Sequence, residues 1–261
     1  MTELITSARN PKIMRLSSLQ QKSSERRDSG LFVVEGVREV QHCIEGGYRI
    51  DSIFCLSGKE QLLQGLDIGD ARIFEVNPGV YEKIAYRGST EGLVAEVEAR
   101  ALSLEDLRLR PDPLIVVLES VEKPGNLGAV LRSADAAGAD AVIICDPLTD
   151  LYNPNLIRAS VGGVFTVPCV ACSSTEAIAF FKSKGIQILT AQLQDSSLYY
   201  DRDMRAGTAI VMGTESTGLT EIWREAADAH IRIPMLGRLD SLNVSVSAAI
   251  LLFEAVRQRN G

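Results

Sequence analysis

Between residues 114 and 233 the chain alternates short, continuously apolar runs with helix-like stretches, and few architectures accommodate that order. The apolar runs fall at 114–118, 141–145, 163–167, 186–190, 208–212 and 229–233. Helix-like stretches occupy 126–138, 153–160, 175–184 and 219–227, and a closing helix runs from about 240 to 259. A strand without polar alternation is buried on both faces, so this order predicts a parallel sheet covered by helices on both sides. Ligands of such sheets bind beyond the carboxyl ends of the strands. The glycine-rich breaks of this chain all fall at that edge.

A smaller α/β unit precedes the sheet. Asn10 before Pro11 reads as an N-cap with proline at the first helical position. Strand-like runs follow at 31–34, 52–56, 72–76 and 92–98. The charged, leucine-bearing stretch that ends in Pro111-Asp-Pro113 reads as a linker. The expected organisation is therefore a first domain over 1–100, a linker over 101–113 and a second domain over 114–261.

At 261 residues the chain is long enough for two domains with real cores. No run of 18 apolar residues suggests a membrane span, and the first ten residues lack the order of a signal peptide, so a cytoplasmic protein is expected. Cys43, Cys55, Cys145, Cys169 and Cys172 are odd in number and sit mostly in apolar runs, as small buried hydrophobes do in a reducing compartment. Cys169-Val-Ala-Cys172 is the only C-x-x-C, and nothing nearby completes a zinc site, so no metal is expected. The net charge of −7 hides an asymmetry: residues 1–30 carry six basic side chains against three acidic ones. A basic arm on an acidic body can dock RNA, although a solvated helix face has the same composition.

Three segments stand out from ordinary core: 124–135, 212–219 and 233–249. In the first, Gly125 and Gly128 allow close approach at a helix start, whose free amides can face an anion. Asn126 and Arg132 are six residues apart and do not share a helix face unless Asn126 lies just outside the helix. In the other two, apolar strands break into Gly213, Thr214, Glu215, Ser216 and Gly218, and into Ser241, Asn243, Ser245 and Ser247. Such polar groups need partners when buried, so either the loops satisfy one another or a ligand does. Neither G-x-G-x-x-G nor a P-loop is present, which removes the main support for ordinary dinucleotide or P-loop binding.

The order Asn126-x-Gly-x-x-x-Arg132-x-Ala, then Gly213-x-Glu215-x-x-Gly218-Leu, then Ile233-Pro-Met235-x-Gly running into Ser241-Leu242-Asn243-Val-Ser-Val, resembles the three motifs of the SpoU class of RNA ribose 2′-O-methyltransferases. Arg158-Ala-Ser-x-Gly162, with Phe165 and Pro168, is similar to a further patch of that family. The resemblance covers 114–259. Arg9-Asn-Pro-Lys12 and Phe32-Val-Val-Glu-Gly36 resemble, less specifically, the substrate-binding domain that precedes the catalytic domain in many rRNA-modifying members.

The resemblance implies an α/β fold whose C-terminal parallel-sheet domain holds a deep trefoil knot, binds S-adenosylmethionine in a bent form and pairs as a homodimer through the knotted region. It places adenine and ribose against the backbone around Thr190, Gly213, Ile233, Met235 and Leu242. It puts Asn126, Arg132, Glu215, Ser241 and Asn243 at the functional positions. Arg9, Lys12, Arg15 and Arg158 are then the RNA-binding candidates. The implied reaction is direct attack of a ribose 2′-hydroxyl on the sulfonium methyl, with no metal and no covalent protein intermediate. A guanidinium with a pKa above about 12 is a poor base, so Arg132 reads better as a binder of the neighbouring phosphate and of the developing alkoxide. Thr214 and Ser216 replace Asn and Gly of many members, and Glu122-Lys123 replaces an Asp or Asn; neither change removes a proposed catalytic group.

Three alternatives stand beside this reading. They are a catalytically silent RNA-binding or assembly factor on the same fold, a tRNA 2′-O-methyltransferase, and an enzyme of small nucleotides. Retention of Asn126, Arg132, Glu215 and Asn243 together speaks against the first, and the basic N-terminal stretch against the last. The extra N-terminal domain favours ribosomal RNA over transfer RNA.

Overall fold

A computed structural model describes residues 3–86, 91–214 and 217–261. They form two compact units, Met1–Arg100 with Asp150–Thr166, and Ala101–Thr149 with Val167–Gly261.

The first unit is a five-stranded mixed sheet. It contains β1 (Glu3–Ile5), α1 (Pro11–Gln21), α2 (Ser23–Ser29), β2 (Leu31–Glu35), α3 (Val37–Glu45), β3 (Ile50–Leu56), β4 (Arg72–Val76), α4 (Pro78–Ile84) and β5 (Leu93–Glu98). The strand order is β1-β4-β3-β5-β2; β1, β4 and β3 run parallel, and β5 is antiparallel to both β3 and β2. Asn10 caps α1 by accepting from the Lys12 amide at 2.9 Å, with Pro11 at the first helical position, as the sequence predicts. Ile13, Leu16 and Leu19 turn one stripe of α1 into a core with Phe54, Phe74 and Val94. The short strand β1 is absent from the sequence reading, because three residues with Glu3 among them carry no period of their own.

Residues 150–166, which the sequence reading assigns to the second domain, fold against the first unit. Buried Arg26 donates to Asp150 at 2.5 Å and to the Leu19 carbonyl at 2.5 Å. Phe32 stacks on Tyr152 with ring centres 4.2 Å apart and packs against Phe165 at 5.8 Å. The apolar run at 163–167 is not a strand: it forms a short helix, α7 (Gly163–Thr166), after α6 (Pro154–Ser160). Val161 and Gly162 both take left-handed conformations, with φ of 56° and 82°, and turn the chain just before it. The Phe165 amide then bonds back to the Gly162 carbonyl at 2.9 Å, and the Phe165 ring is spent on the aromatic cluster rather than on a sheet face.

The second unit holds seven parallel strands in the order β10-β12-β9-β11-β6-β7-β8. They are β6 (Leu114–Glu119), β7 (Ala141–Cys145), β8 (Cys169–Cys172), β9 (Gln187–Ala191), β10 (Ser197–Leu198), β11 (Thr208–Met212) and β12 (Ala229–Arg232). Its helices are α5 (Pro124–Ala136), α8 (Ser174–Lys184), α9 (Glu221–Ala226) and α10 (Val244–Asn260). The expected parallel sheet is therefore present, and every residue of β6, β7 and β11 is buried. Phe181 and Trp223 bring α8 and α9 onto the face that carries Ile115, Val117 and Ile143, while α5 and α10 pack on the other. Arg259 ties the end of α10 to the carbonyls of Met204, Asp112, Pro113 and Ala206. Burial pulls its guanidinium below its ordinary value. Among the described residues no helix is long and apolar enough to cross a membrane.

Candidate functional site

The carboxyl ends of β9, β11 and β12 open onto a cavity of about 400 Å³. Ala191–Gln194 line it after β9, Met212–Thr214 and Thr217–Leu219 after β11, and Arg232, Ile233 and Met235 after β12. Asp240, Ser241, Leu242 and the first turns of α10, through Val244, Ser247 and Leu251, complete the wall. Apolar side chains such as Met212, Leu219, Ile233 and Leu251 share the wall almost equally with polar and charged ones such as Gln192, Arg224, Arg232 and Asp240, so the cavity suits a ligand with both an apolar and a polar part.

Gly213 is the tightest point of this wall. A Cβ there would lie 2.2 Å from the Gly218 carbonyl oxygen and 2.6 Å from the Leu219 nitrogen, both backbone atoms. The two ends of the loop pair here in an isolated antiparallel bridge: Gly218 donates its amide to the Thr214 carbonyl at 3.0 Å, and Gly218 has φ of 68°. Thr214 and Thr217 join their hydroxyls at 2.7 Å, and the Thr217 amide donates to the Thr214 hydroxyl at 3.1 Å. Below the loop, Thr220 donates its amide at 2.9 Å and its hydroxyl at 2.5 Å to the buried Glu119 carboxylate at the end of β6. Ser174 accepts from the Trp223 indole at 2.9 Å and donates to Asp146 at 2.6 Å, which holds α9 to α8.

The expected ligand residues divide. Gly213, Ile233, Met235, Leu242 and Ser241 all line the cavity. Thr190 does not: its side chain is fully buried and its hydroxyl meets His230 Nδ1 at 2.6 Å, while its successor Ala191 reaches the wall. Asn243 caps α10 by accepting from the Ser245 amide at 3.0 Å, and its Nδ2 donates to Asn126 Oδ1 at 3.1 Å. The first and third motifs thus meet across 117 residues of sequence. Glu215 lies outside the described residues, as does Ser216.

Helix α5 begins at Pro124, two residues earlier than expected, which puts Asn126 inside its first turn and not just outside the helix. Arg132, exposed on the same helix, is therefore about 120° around the axis and about 9 Å along it. The helix start offers an anion little. Pro124 has no N–H, and the amides of Asn126 and Leu127 already donate to the Lys123 carbonyl at 3.0 and 3.2 Å.

Two residues that the sequence reading missed carry the unusual polarity. Gln192 Oε1 and Arg224 Nε are buried without a hydrogen-bond partner among the described residues, and both residues line the cavity. Gln192 follows a carboxyl strand end, where parallel sheets place ligands, so its position was a readable signal. Arg224, three residues after Glu221 on a helix, looks like half of a surface ion pair and gave none.

The RNA candidates belong to the first unit, where three are engaged. Arg15 binds the buried Glu96 carboxylate and Asp51, Lys12 binds Glu3 at 2.8 Å, and Arg158 lies 4.0 Å from Glu35 with its guanidinium over the Tyr86 ring. Arg9 is exposed on the turn before α1. No cluster of metal-ligating side chains occurs among the described residues. Cys172 instead pairs in register with Cys145 of β7, not with Cys169.

An open parallel sheet with a cavity of mixed polarity at its carboxyl edge, walled in part by Gly213 and Gly218, defines a ligand-binding α/β protein. The profile of the SpoU rRNA methylase family matches residues 113–253, and that of an MRM3-like substrate-binding domain matches residues 10–95. The chain belongs to the SpoU rRNA methylase family. It is 29% identical to the 23S rRNA (uridine(2479)-2′-O)-methyltransferase of Streptomyces viridochromogenes, over 97% of this chain and 91% of that one. It is 33% identical to the 23S rRNA (guanosine-2′-O-)-methyltransferase RlmB of Pseudomonas putida, over 81% and 84% respectively. The AdoMet-bound rRNA methyltransferase of Sinorhizobium meliloti superposes with a TM-score of 0.90 at 30% identity, covering 98% of both chains.

Proposed function

We propose that the protein methylates a ribose 2′-hydroxyl of ribosomal RNA with S-adenosylmethionine, in the cytoplasm. The observation that carries this reading is the cavity at the ends of β9, β11 and β12, whose walls are the second and third family motifs. The residues fit the cofactor: Met212, Leu219, Ile233 and Leu251 offer walls for a flat base, Gly213 lets backbone approach, and two buried polar atoms await partners.

When bound, S-adenosylmethionine supplies a methyl group activated by its sulfonium. The chain's task is to align the ribose hydroxyl and to handle one proton. Arg132 binds the phosphate beside the target nucleotide and stabilises the developing alkoxide, because its guanidinium stays charged and donates in a fork. The Asn126–Asn243 bond fixes the start of α5, on which Arg132 sits, to the start of α10, which closes the cavity. Ser241 and Glu215 complete the set that this proposal places around the ribose. The first unit, with Arg9, Lys12, Arg15 and Arg158, recruits the RNA. Its ion pairs with Glu3, Glu96 and Glu35 then exchange for phosphate contacts or orient the free donors.

The trefoil knot and the homodimer are part of the same proposal. For the knot, support comes from β11 lying between β9 and β6, with α10 returning against β6, β11 and α5. For the dimer, it comes from Val246 and Phe253, exposed one above the other on α10, and from Leu236 and Leu239, exposed on the loop before it. Light scattering of Phe253→Asp should show a monomer. Relatives act on uridine and on guanosine, so the base is open. Mapping 2′-O-methylated positions in ribosomal and transfer RNA, with and without the protein, tests the main reading. An unchanged map together with no methyl transfer to ribosomal RNA by the purified protein would leave the silent RNA-binding factor.

A further inference from the structure

The polar loops around the cavity mostly satisfy themselves. Thr214 pairs with Thr217, Ser245 donates to Asn243 Oδ1 at 2.6 Å, and Ser241 donates to Asp240 at 3.3 Å. Gln192 and Arg224 break that pattern. The Gln192 amide nitrogen donates to the Gln194 carbonyl at 3.0 Å, which tells the two ends of the amide apart and leaves Oε1 as a buried acceptor without a donor among the described residues. Arg224 Nη1 faces Glu221 at 3.6 Å on the solvent side, and its buried Nε–H has no acceptor among the described residues. A buried polar atom left unpaired is disfavoured, and two on residues that line one cavity point to a ligand that supplies one donor and one anionic acceptor.

We infer that Arg224 and Gln192 recognise the amino-acid tail of the cofactor, with the Arg224 guanidinium donating to its carboxylate and Gln192 Oε1 accepting from its α-ammonium group. This rests on the S-adenosylmethionine reading and deepens it. An amino-acid zwitterion matches a cationic donor and a neutral acceptor, whereas the adenine presents no anion and suits the apolar part of the wall. Both side chains are only partly buried, so a turn of the terminal torsions carries the enclosed atoms onto the cavity surface.

Two probes separate the tail from the nucleoside: S-adenosylhomocysteine, which has the tail, and 5′-methylthioadenosine, which lacks it. Titration calorimetry of the full chain should show the wild type binding S-adenosylhomocysteine the more tightly. Arg224→Gln should lose about 10- to 100-fold for S-adenosylhomocysteine and stay within about twofold for methylthioadenosine. Gln192→Leu should show the same selectivity with a smaller loss. Retained methylthioadenosine binding reports that each variant is folded. Equal losses for both probes would move Arg224 to the nucleoside end and overturn the inference, as would no loss for either. A wild type that binds neither probe would overturn the cofactor reading itself, and this inference with it.

Discussion

Replacing Gly213 by alanine tests whether the close approach of Gly213 to Gly218 and Leu219 shapes the cavity. The added methyl carbon would sit 2.2 Å from the Gly218 oxygen, 2.3 Å from its carbonyl carbon and 2.6 Å from the Leu219 nitrogen. Ordinary carbon contacts are about 3.5 Å, so the two strands of the loop must part by about 1 Å. No flexible side chain can absorb this, because all three atoms are backbone. Forcing a methyl group into a filled site costs about 1–3 kcal/mol. Part of that falls on the Gly218 to Thr214 hydrogen bond, and part moves Gly218 and Leu219, which line the cavity. Thermal unfolding should drop by several degrees. Calorimetry with S-adenosylhomocysteine should show affinity reduced about tenfold or more, the equivalent of about 1.4 kcal/mol or more. An unchanged affinity in a variant that melts like the wild type would show that this close approach does not build the site.

Three further outcomes follow from packing within the second unit. Glu119→Gln turns one buried acceptor into a donor opposite the Thr220 amide and hydroxyl, so a urea melt should show a loss of about 1–3 kcal/mol; no loss would deny that this carboxylate holds the start of α9. In native protein at pH 8, a thiol reagent should label Cys172 alone. Its thiol is drawn below its ordinary range by the hydrogen bond from Cys145 and is part-exposed, whereas burial raises Cys55 to about 11 and Cys169 to about 12; a second labelled cysteine would contradict this. The Asp140 carboxyl is pushed up by burial but held below its ordinary value of 3.8 by hydrogen bonds from Arg110 and the Leu114 amide. Its stabilising effect is thus present above that value and lost as pH falls through the folded-state value. The difference in urea midpoint between wild type and Asp140→Asn should shrink as pH is lowered from 7 to 3, and a constant difference would refute it.

The strands β6, β7 and β11 were legible because a strand covered on both faces leaves an unbroken apolar run, and only a parallel sheet uses several of those. The run at 163–167 misled for the same reason: apolar residues report burial, not conformation. Val161 in a left-handed conformation decided the matter, and no residue preference announces that for a β-branched side chain. The start of α5 was available in the sequence, since Pro124 suits the first helical position better than Asn126 suits the cap. The packing of 150–166 with the first unit was not. It depends on Phe32 meeting Tyr152 and on Arg26 meeting Asp150, partners 120 and 124 residues apart.

At the site the same contrast has a chemical meaning. The row of Ser, Thr and Asn in the motif loops drew attention because polar residues beside a buried sheet need partners, yet most of those partners turned out to be each other. Thr214 with Thr217 and Ser245 with Asn243 build the shape of the loops and leave little hydrogen-bonding capacity for a ligand. A motif can therefore mark where a cavity is without naming the groups that read its contents. Those groups are found by accounting for every buried donor and acceptor, which requires coordinates. By that accounting, Asn126 and Asn243 are structural partners that join two helix starts, and the unspent polarity lies on Gln192 and Arg224. The division suits the proposed methyl transfer: hydrogen bonds within the loops hold the described parts of the walls, while Gln192 and Arg224 keep polarity to spend on the cofactor's charged end.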